Sequence, residues 1–465
     1  MKKRCYLTGP LWLRKEGGAF GLSLPEGAEC MSADPHMNGR SHGLWAQSAA
    51  PAPACPPLRA EVVCDVAVIG AGYTGLSTAL HLAGRGIHAV VIEAAEIGFG
   101  GAGRNVGLVN AGMWVMPEDL IQSLGPVYGN RLLDLLGEGP AYVWEMVRRH
   151  AIDCEANPVG TLHAGVGAKG LSELTERARQ WQARGAPVTL LDKEDAGRML
   201  GCDFYAGALL DRRAGTIQPL AYARGLARAV LQAGAQIYCQ TPATQLSPDG
   251  AGWRITTPQG QIRAGRVVMA TDAYTRHVMP QIAAQQVVLP YFNMATPPLP
   301  EDLSRQILPG RQGVWDTKDV LLSFRYDAQN RLVFGSVGAL RNTGSAIHRA
   351  WAKRMLGRIY PQLAPILASS GFESEWFGSI GMTSDNLPRF HQLAGGIYAF
   401  CGYNGRGIAP GTVFGREMAG FLAGDIRADA LALPLSQPDP VALRGLRSCF
   451  YEAGAQLVHL AEARF

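Results

Sequence analysis

The densest chemistry in this chain lies in six consecutive residues, Gly70-Ala71-Gly72-Tyr73-Thr74-Gly75. A G-x-G-x-x-G run between an apolar strand and a helix makes a phosphate cradle. The first glycine allows the sharp turn, the second lets a pyrophosphate approach the backbone, and the third permits close helix–strand packing. The phosphates then meet unpaired N–H groups at the positive end of the helix. Glu93-Ala94 follows a little over ~20 residues on, closing the next apolar run, where a carboxylate can accept from ribose hydroxyls. This fingerprint alone does not separate FAD from NAD.

Two further glycine clusters narrow the ligand. Residues 97–107 include Gly100, Gly103, Arg104, Asn105, Val106 and Gly107. They hold too little side chain to pack as core and suit the wrapping of a large planar ligand with backbone amides. Far along the chain, Gly402-Tyr403-Asn404-Gly405-Arg406-Gly407-Ile408 leads into a helical pattern. A helix N-terminus aimed at a flavin would stabilise negative charge on the reduced ring, with Arg406 adding to it.

Other chemistries find little support. The nine cysteines are scattered, with no C-x-x-C pair, so neither a metal site nor a disulfide framework is expected, and a reducing compartment is implied. Net charge is +5 without a dense Lys/Arg block, which argues against a nucleic-acid partner. No apolar run reaches the ~18 residues of a membrane span, and Arg14 and Lys15 interrupt any signal-peptide core. The reading is a cytoplasmic protein with no membrane partner.

The elements that must position these clusters follow from periodicity. Hydrophobic residues make up 47% of 465 and charged residues 17%, enough for a large buried core. Strands at 66–69 and 89–92 flank a helix at 74–83, giving a βαβ unit. Helices are expected at 120–150, 171–183, 221–232, 347–360 and 412–422. Strands are expected at 236–239, 287–294, 320–325 and 332–335, with a hairpin pairing 253–257 to 261–269 through Pro258-Gln259-Gly260. Residues 1–60 read as an extended, partly disordered segment with a proline-rich linker at 49–57, and Met31 and Met37 are alternative starts.

Residues 65–94, 100–107, 378–388 and 402–420 together resemble the D-amino acid oxidase/glycine oxidase superfamily, and within it a γ-glutamylputrescine oxidoreductase-like branch. The resemblance spans roughly residues 40–430. It implies an α/β (α+β) fold: a Rossmann-type FAD-binding domain (61–111, 210–275, 371–430) and a discontinuous substrate domain (112–209, 276–370) with a mainly antiparallel sheet. Residues 431–465 are left as a C-terminal tail. It also implies that Thr244 lies near the adenine and that Ala270, Thr271 and Gly381 approach the cofactor. The FAD is expected to be non-covalent, because Gly378 stands where some members carry the attaching cysteine. The implied chemistry is oxidation of the C–N bond of an amine or amino acid by hydride transfer to flavin N5, giving an imine, with O2 reduced to H2O2. The alternatives are a dehydrogenase feeding a quinone or protein acceptor, and a non-catalytic flavin-binding protein. No acid–base residue is named. Arg325 is the expected carboxylate contact, since a guanidinium fork matches a carboxylate, and Tyr291 and Tyr403 are expected to line the pocket.

Overall fold

The two apolar runs around the fingerprint are buried on both faces, as parallel strands covered by helices must be. In the computed structural model, which describes residues 42–275 and 278–462, strand Glu61–Ile69 pairs in parallel with Ala89–Ile92 on one side and Gln261–Met269 on the other. Gln236–Tyr238 and Ile397–Cys401 extend this sheet, again in parallel. The hairpin expected at 253–269 forms as an antiparallel pair, Gly252–Thr256 with Gln261–Met269.

Helices Tyr73–Ala83 and Ile408–Ala423 lie side by side against this sheet, and small residues let them approach. A Cβ on Gly415 would sit 2.5 Å from the Ser77 Cβ, and Ser77 Oγ donates to the Thr412 carbonyl at 2.7 Å. Residues more than 300 positions apart thus start their helices together.

The second sheet has eight strands, in the order Ser374–Met382, Val287–Ala295, Leu332–Val337, Leu322–Tyr326, Gly313–Asp316, Thr161–Gly165, Gly207–Asp211, Val188–Leu191. All its pairings are antiparallel except that of Gly313–Asp316 with Thr161–Gly165. Side chains alternate across it. Phe292, Met294, Phe324 and Phe334 pack into a core with Trp351 of helix Asn342–Ile359. Leu289, Tyr291 and Ser323 face the first domain and line a hollow between the two sheets.

Three expected boundaries change. Strand Ser374–Met382 pairs along its whole length with Val287–Ala295, so it belongs to the substrate-side sheet and not to the FAD-binding segment that was to begin at 371. The described part of the expected C-terminal tail, 431–462, packs on the substrate domain: helix Arg444–Ala461 lies on Val287–Ala295 and Asn342–Ile359, burying His459 against Trp351 and His348. Within the expected extended segment 1–60, residues 1–41 lie outside the described residues. The remainder includes a short helix, Leu44–Ser48, whose Leu44 and Trp45 are buried.

Candidate functional site

A cavity of about 2950 Å³ lies between the domains, lined from both. Its first wall is the fingerprint. Gly70 has φ 112°, and a Cβ there would lie 2.7 Å from the Ala270 carbonyl oxygen, so the turn excludes other residues. Gly72, Tyr73 and Thr74 open helix Tyr73–Ala83, whose N-terminus has no side-chain cap. Glu93 accepts from Ala71 N at 2.9 Å and Ala95 N at 3.0 Å. Burial raises its carboxyl above the usual range, partly offset by those amides. Beside it, Ala94 and Thr244 line the same end of the cavity.

The far glycine cluster forms the facing wall. Helix Ile408–Ala423 also starts uncapped, and Asn404, Gly405, Arg406, Gly407 and Ile408 all reach the cavity. The two motifs touch: Thr74 Oγ1 and Tyr403 Oη lie 2.5 Å apart. Trp114 Nε1 donates to Asn404 O at 2.5 Å, and Asn404 Oδ1 accepts from Thr383 N at 2.8 Å, fixing the loop from two sides. Burial and the nearby Asp272 raise the Tyr403 phenol far above its usual range. Asp272, itself at the cavity, accepts from Gly402 N at 2.8 Å and is pushed up to about 6 by burial.

The middle loop closes a third side. Gly100, Arg104, Asn105 and Val106 line the cavity, as do Ala270, Thr271 and Gly381 opposite. Asn105 Nδ2 donates to the carbonyls of Gly101 and Ala102, and its Oδ1 accepts from Gly107 N, so one side chain shapes the whole turn. Arg104 donates to the carbonyls of Phe99 and Phe377 and lies over the Phe99 ring.

Several expected site residues do not reach the cavity. Ala71, Gly75, Gly103, Gly107 and Gly402 are absent from its wall and act through the backbone: a Cβ on Gly75 would meet the Gly70 carbonyl at 2.0 Å, and one on Gly107 the Ile217 carbonyl at 2.1 Å. Arg325 is the larger correction. It sits on the inward side of its strand, two residues beyond Ser323, yet past the edge of the cavity. Its guanidinium donates to Val106 O at 2.9 Å and Tyr326 O at 3.0 Å and stacks 4.9 Å from the Trp45 ring. It braces the middle loop from behind, where a substrate has no room.

Tyr291 does line the cavity, with its hydroxyl 2.6 Å from Ser323 Oγ and its phenol raised by burial. Further residues line the same cavity, and of these only Arg406 was expected from the sequence, as a support for the flavin. Arg406 lies between the rings of Trp114 and Trp315, 5.0 and 4.6 Å from their centroids, and donates to Ala111 O at 2.7 Å. Its Nε has no partner, and it makes no ion pair among the described residues. Burial and the neighbouring Arg177 lower it to about 9. Arg177, bonded to Trp114 O, likewise leaves its Nε unpaired. His163 stacks on Trp315 at 3.3 Å, and burial, with Arg177 and Arg406 nearby, lowers its imidazole well below the usual range. Asp316 accepts from Leu322 N, leaves Oδ2 unpaired and is raised to about 7 by burial. Arg406 belongs to the far glycine motif; the others carry no motif.

The site suits FAD. Two uncapped helix N-termini face one cavity, the Glu93 carboxylate stands beside the first of them, and the glycines admit backbone contact along its length. No cysteine lines it among the described residues, in keeping with a non-covalent flavin.

Comparison with known proteins agrees. The chain is 34% identical over 412 residues to gamma-glutamylputrescine oxidoreductase of Escherichia coli, covering 87% of this chain and 94% of that protein. The crystal structure of glycine oxidase from Geobacillus kaustophilus superposes with a TM-score of 0.64 at 21% identity, covering 78% of this chain and 95% of the other. Iminodiacetate oxidase from Chelativorans sp. BNC1 gives 0.62 at 18%, covering 80% and 100%. The family model described as FAD dependent oxidoreductase matches residues 65–420. With the geometry, the relatives and that match in accord, the chain belongs to the FAD-dependent oxidoreductase family, whose members act on the C–N bonds of amines and amino acids.

Proposed function

We propose that this protein is an oxidase of a small amine that also carries a carboxylate, with O2 as the electron acceptor and H2O2 as the second product. Bound FAD supplies the two-electron acceptor for the carbon next to nitrogen. The chain supplies everything else. Gly70 to Thr74 would hold the pyrophosphate, and Glu93 would accept from the ribose. The start of helix Ile408–Ala423 would favour negative charge on the ring. Trp114, Trp315 and Tyr291 exclude water from the substrate end. Arg406 anchors the carboxylate, with Arg177 beside it.

The observation that carries the substrate class is the state of Arg406. A buried cation is ordinarily paired, and this one lines the cavity with a single hydrogen bond to Ala111 O and no carboxylate partner among the described residues. An anionic group on the substrate would complete it.

The test is anaerobic titration of the flavin-loaded protein with matched amines that differ only in the carboxylate. Bleaching of the flavin band at much lower concentrations of the acid is expected. A charge-assisted hydrogen bond is worth about 1.5–3 kcal/mol. Arg406→Met should therefore raise the half-reducing concentration of the acid roughly 10- to 150-fold and leave the plain amine little changed. If no amine bleaches the flavin, the oxidase reading fails. If bleaching occurs but air yields no peroxide until an artificial acceptor is added, the acceptor is a quinone or a protein.

A further inference from the structure

Residues 49–60 form neither helix nor strand, yet they are strapped onto the FAD-binding domain near both ends. Arg224 donates to Ala50 O at 2.9 Å, and Leu58 N donates to Thr241 Oγ1 at 3.0 Å. Thr241 in turn donates to Cys239 O at 2.8 Å. Between these anchors, half-buried Cys55 packs against the core cluster that contains Cys239, and the two side chains interact.

We propose that Cys55 and Cys239 are an oxidation site, forming a reversible disulfide that fastens the strap to the nucleotide end of the cavity. Their placement suits the chemistry. A reactive cysteine is accessible, has thiolate character and stands beside a resolving thiol. Cys55 is the accessible member, and its interaction with Cys239 lowers its thiol below the usual range. Cys239 is buried and is raised by the same interaction and by burial. Cys64 and Cys154, by contrast, are buried and pushed up to about 12 by burial, which makes them poor nucleophiles.

The oxidant is hydrogen peroxide. The Cys55 thiolate attacks one peroxide oxygen, the O–O bond breaks, and hydroxide leaves and takes up a proton as water, giving a sulfenic acid. The Cys239 thiol then attacks the Cys55 sulfur, and the sulfenic oxygen departs with the thiol proton as a second water. Two thiols lose two electrons in all, and one peroxide gains them.

The consequence falls on the cofactor. Just after Cys239, residues Thr241 to Thr244 line the cavity, and Thr241 N donates to Glu93 O at 2.8 Å. Tying Cys239 to the strap restrains this wall and slows the opening through which the nucleotide end leaves.

The test uses the flavin-loaded protein with added peroxide, so its outcome does not depend on whether this chain makes peroxide itself. Free thiols are blocked after treatment, and the digest is mapped by mass spectrometry. The expected product is a Cys55–Cys239 cross-linked peptide that dithiothreitol reverses. Flavin loss on dialysis should slow several-fold in the oxidised wild type and stay unchanged by peroxide in Cys55→Ser and Cys239→Ala. Sulfinic or sulfonic acid at Cys55 without a cross-link, or a cross-link to another cysteine, overturns the assignment. A cross-link that leaves the flavin off-rate unaltered overturns its proposed effect.

Discussion

Arg325 shows what a single residue can and cannot reveal. The family resemblance pointed to its strand, but its position relative to the cavity's edge depends on how far the sheet slides past the middle loop, which no local pattern encodes. Its bonds to Val106 O and Tyr326 O and its stacking on Trp45 make it a support for the loop. Removing it strands buried carbonyls, at about 1–3 kcal/mol each. Arg325→Met should therefore weaken FAD retention, read as faster flavin loss on dialysis and a lower Tm, while preserving the preference between carboxylate-bearing and plain amines. A selective loss of the acid substrate would return Arg325 to the substrate site. Arg406 is the converse case: its G-R-G setting was visible, but the tryptophans around it come from distant, short apolar segments.

Among the elements, the paired helices bear most directly on the cofactor. Helices Tyr73–Ala83 and Ile408–Ala423 touch through Gly411 and Gly415, where added atoms would meet Tyr73 and Ser77. Gly415→Val would force the helices apart and separate the two N-termini that face the cavity. Overpacking of this kind typically costs about 1–3 kcal/mol. The expected outcome is a protein that folds with a lower Tm and is purified largely colourless, with flavin restored only at raised concentrations; full flavin occupancy would refute the coupling. These helices and the fingerprint strand were legible because their signals are local. Helix Arg444–Ala461 was not: Gly445 and Gly454 interrupt its pattern, and Leu446, Phe450 and Leu457 face outward.

That C-terminal helix is held by a pH-sensitive contact. His348 and His459 face each other, Nδ1 to Nδ1 at 2.7 Å. Burial lowers His348 to about 4, partly countered by Glu452. Burial, together with His348, Lys318 and Arg354, lowers His459 to about 2. Both folded-state values lie below the unfolded 6.5, so the contact's stabilisation is fully present above pH 6.5 and is lost as pH falls toward 4 and below. Protection factors for hydrogen exchange across 444–461, taken against the intrinsic rate at each pH, should fall between pH 7 and pH 5 more than those in the fingerprint helix. Equal protection at both values would show that the pair does not secure the helix.

For the whole molecule, the main fact is a large hollow between two sheets whose walls come from segments spread over most of the sequence. The division into a nucleotide-binding sheet and a mainly antiparallel one was implied by the family resemblance. The exact division was not, because strand Ser374–Met382 follows its pairing partner and not its neighbours in sequence. A ligand that fills such a hollow stabilises the native state by mass action, about 2.7 kcal/mol at a hundredfold excess over Kd. Stripping FAD should lower Tm by several degrees, and titrating it back should raise Tm with the logarithm of its concentration. A Tm indifferent to FAD would mean that the hollow is not where it binds.

The sandwich of Arg406 between Trp114 and Trp315 has a practical corollary. Both indoles border the hollow, so a yellow ring entering it would sit close enough to drain their excited states. The protein therefore carries a built-in optical gauge: ultraviolet emission from these two side chains should dim as the chromophore docks and brighten as it departs, with no dye attached.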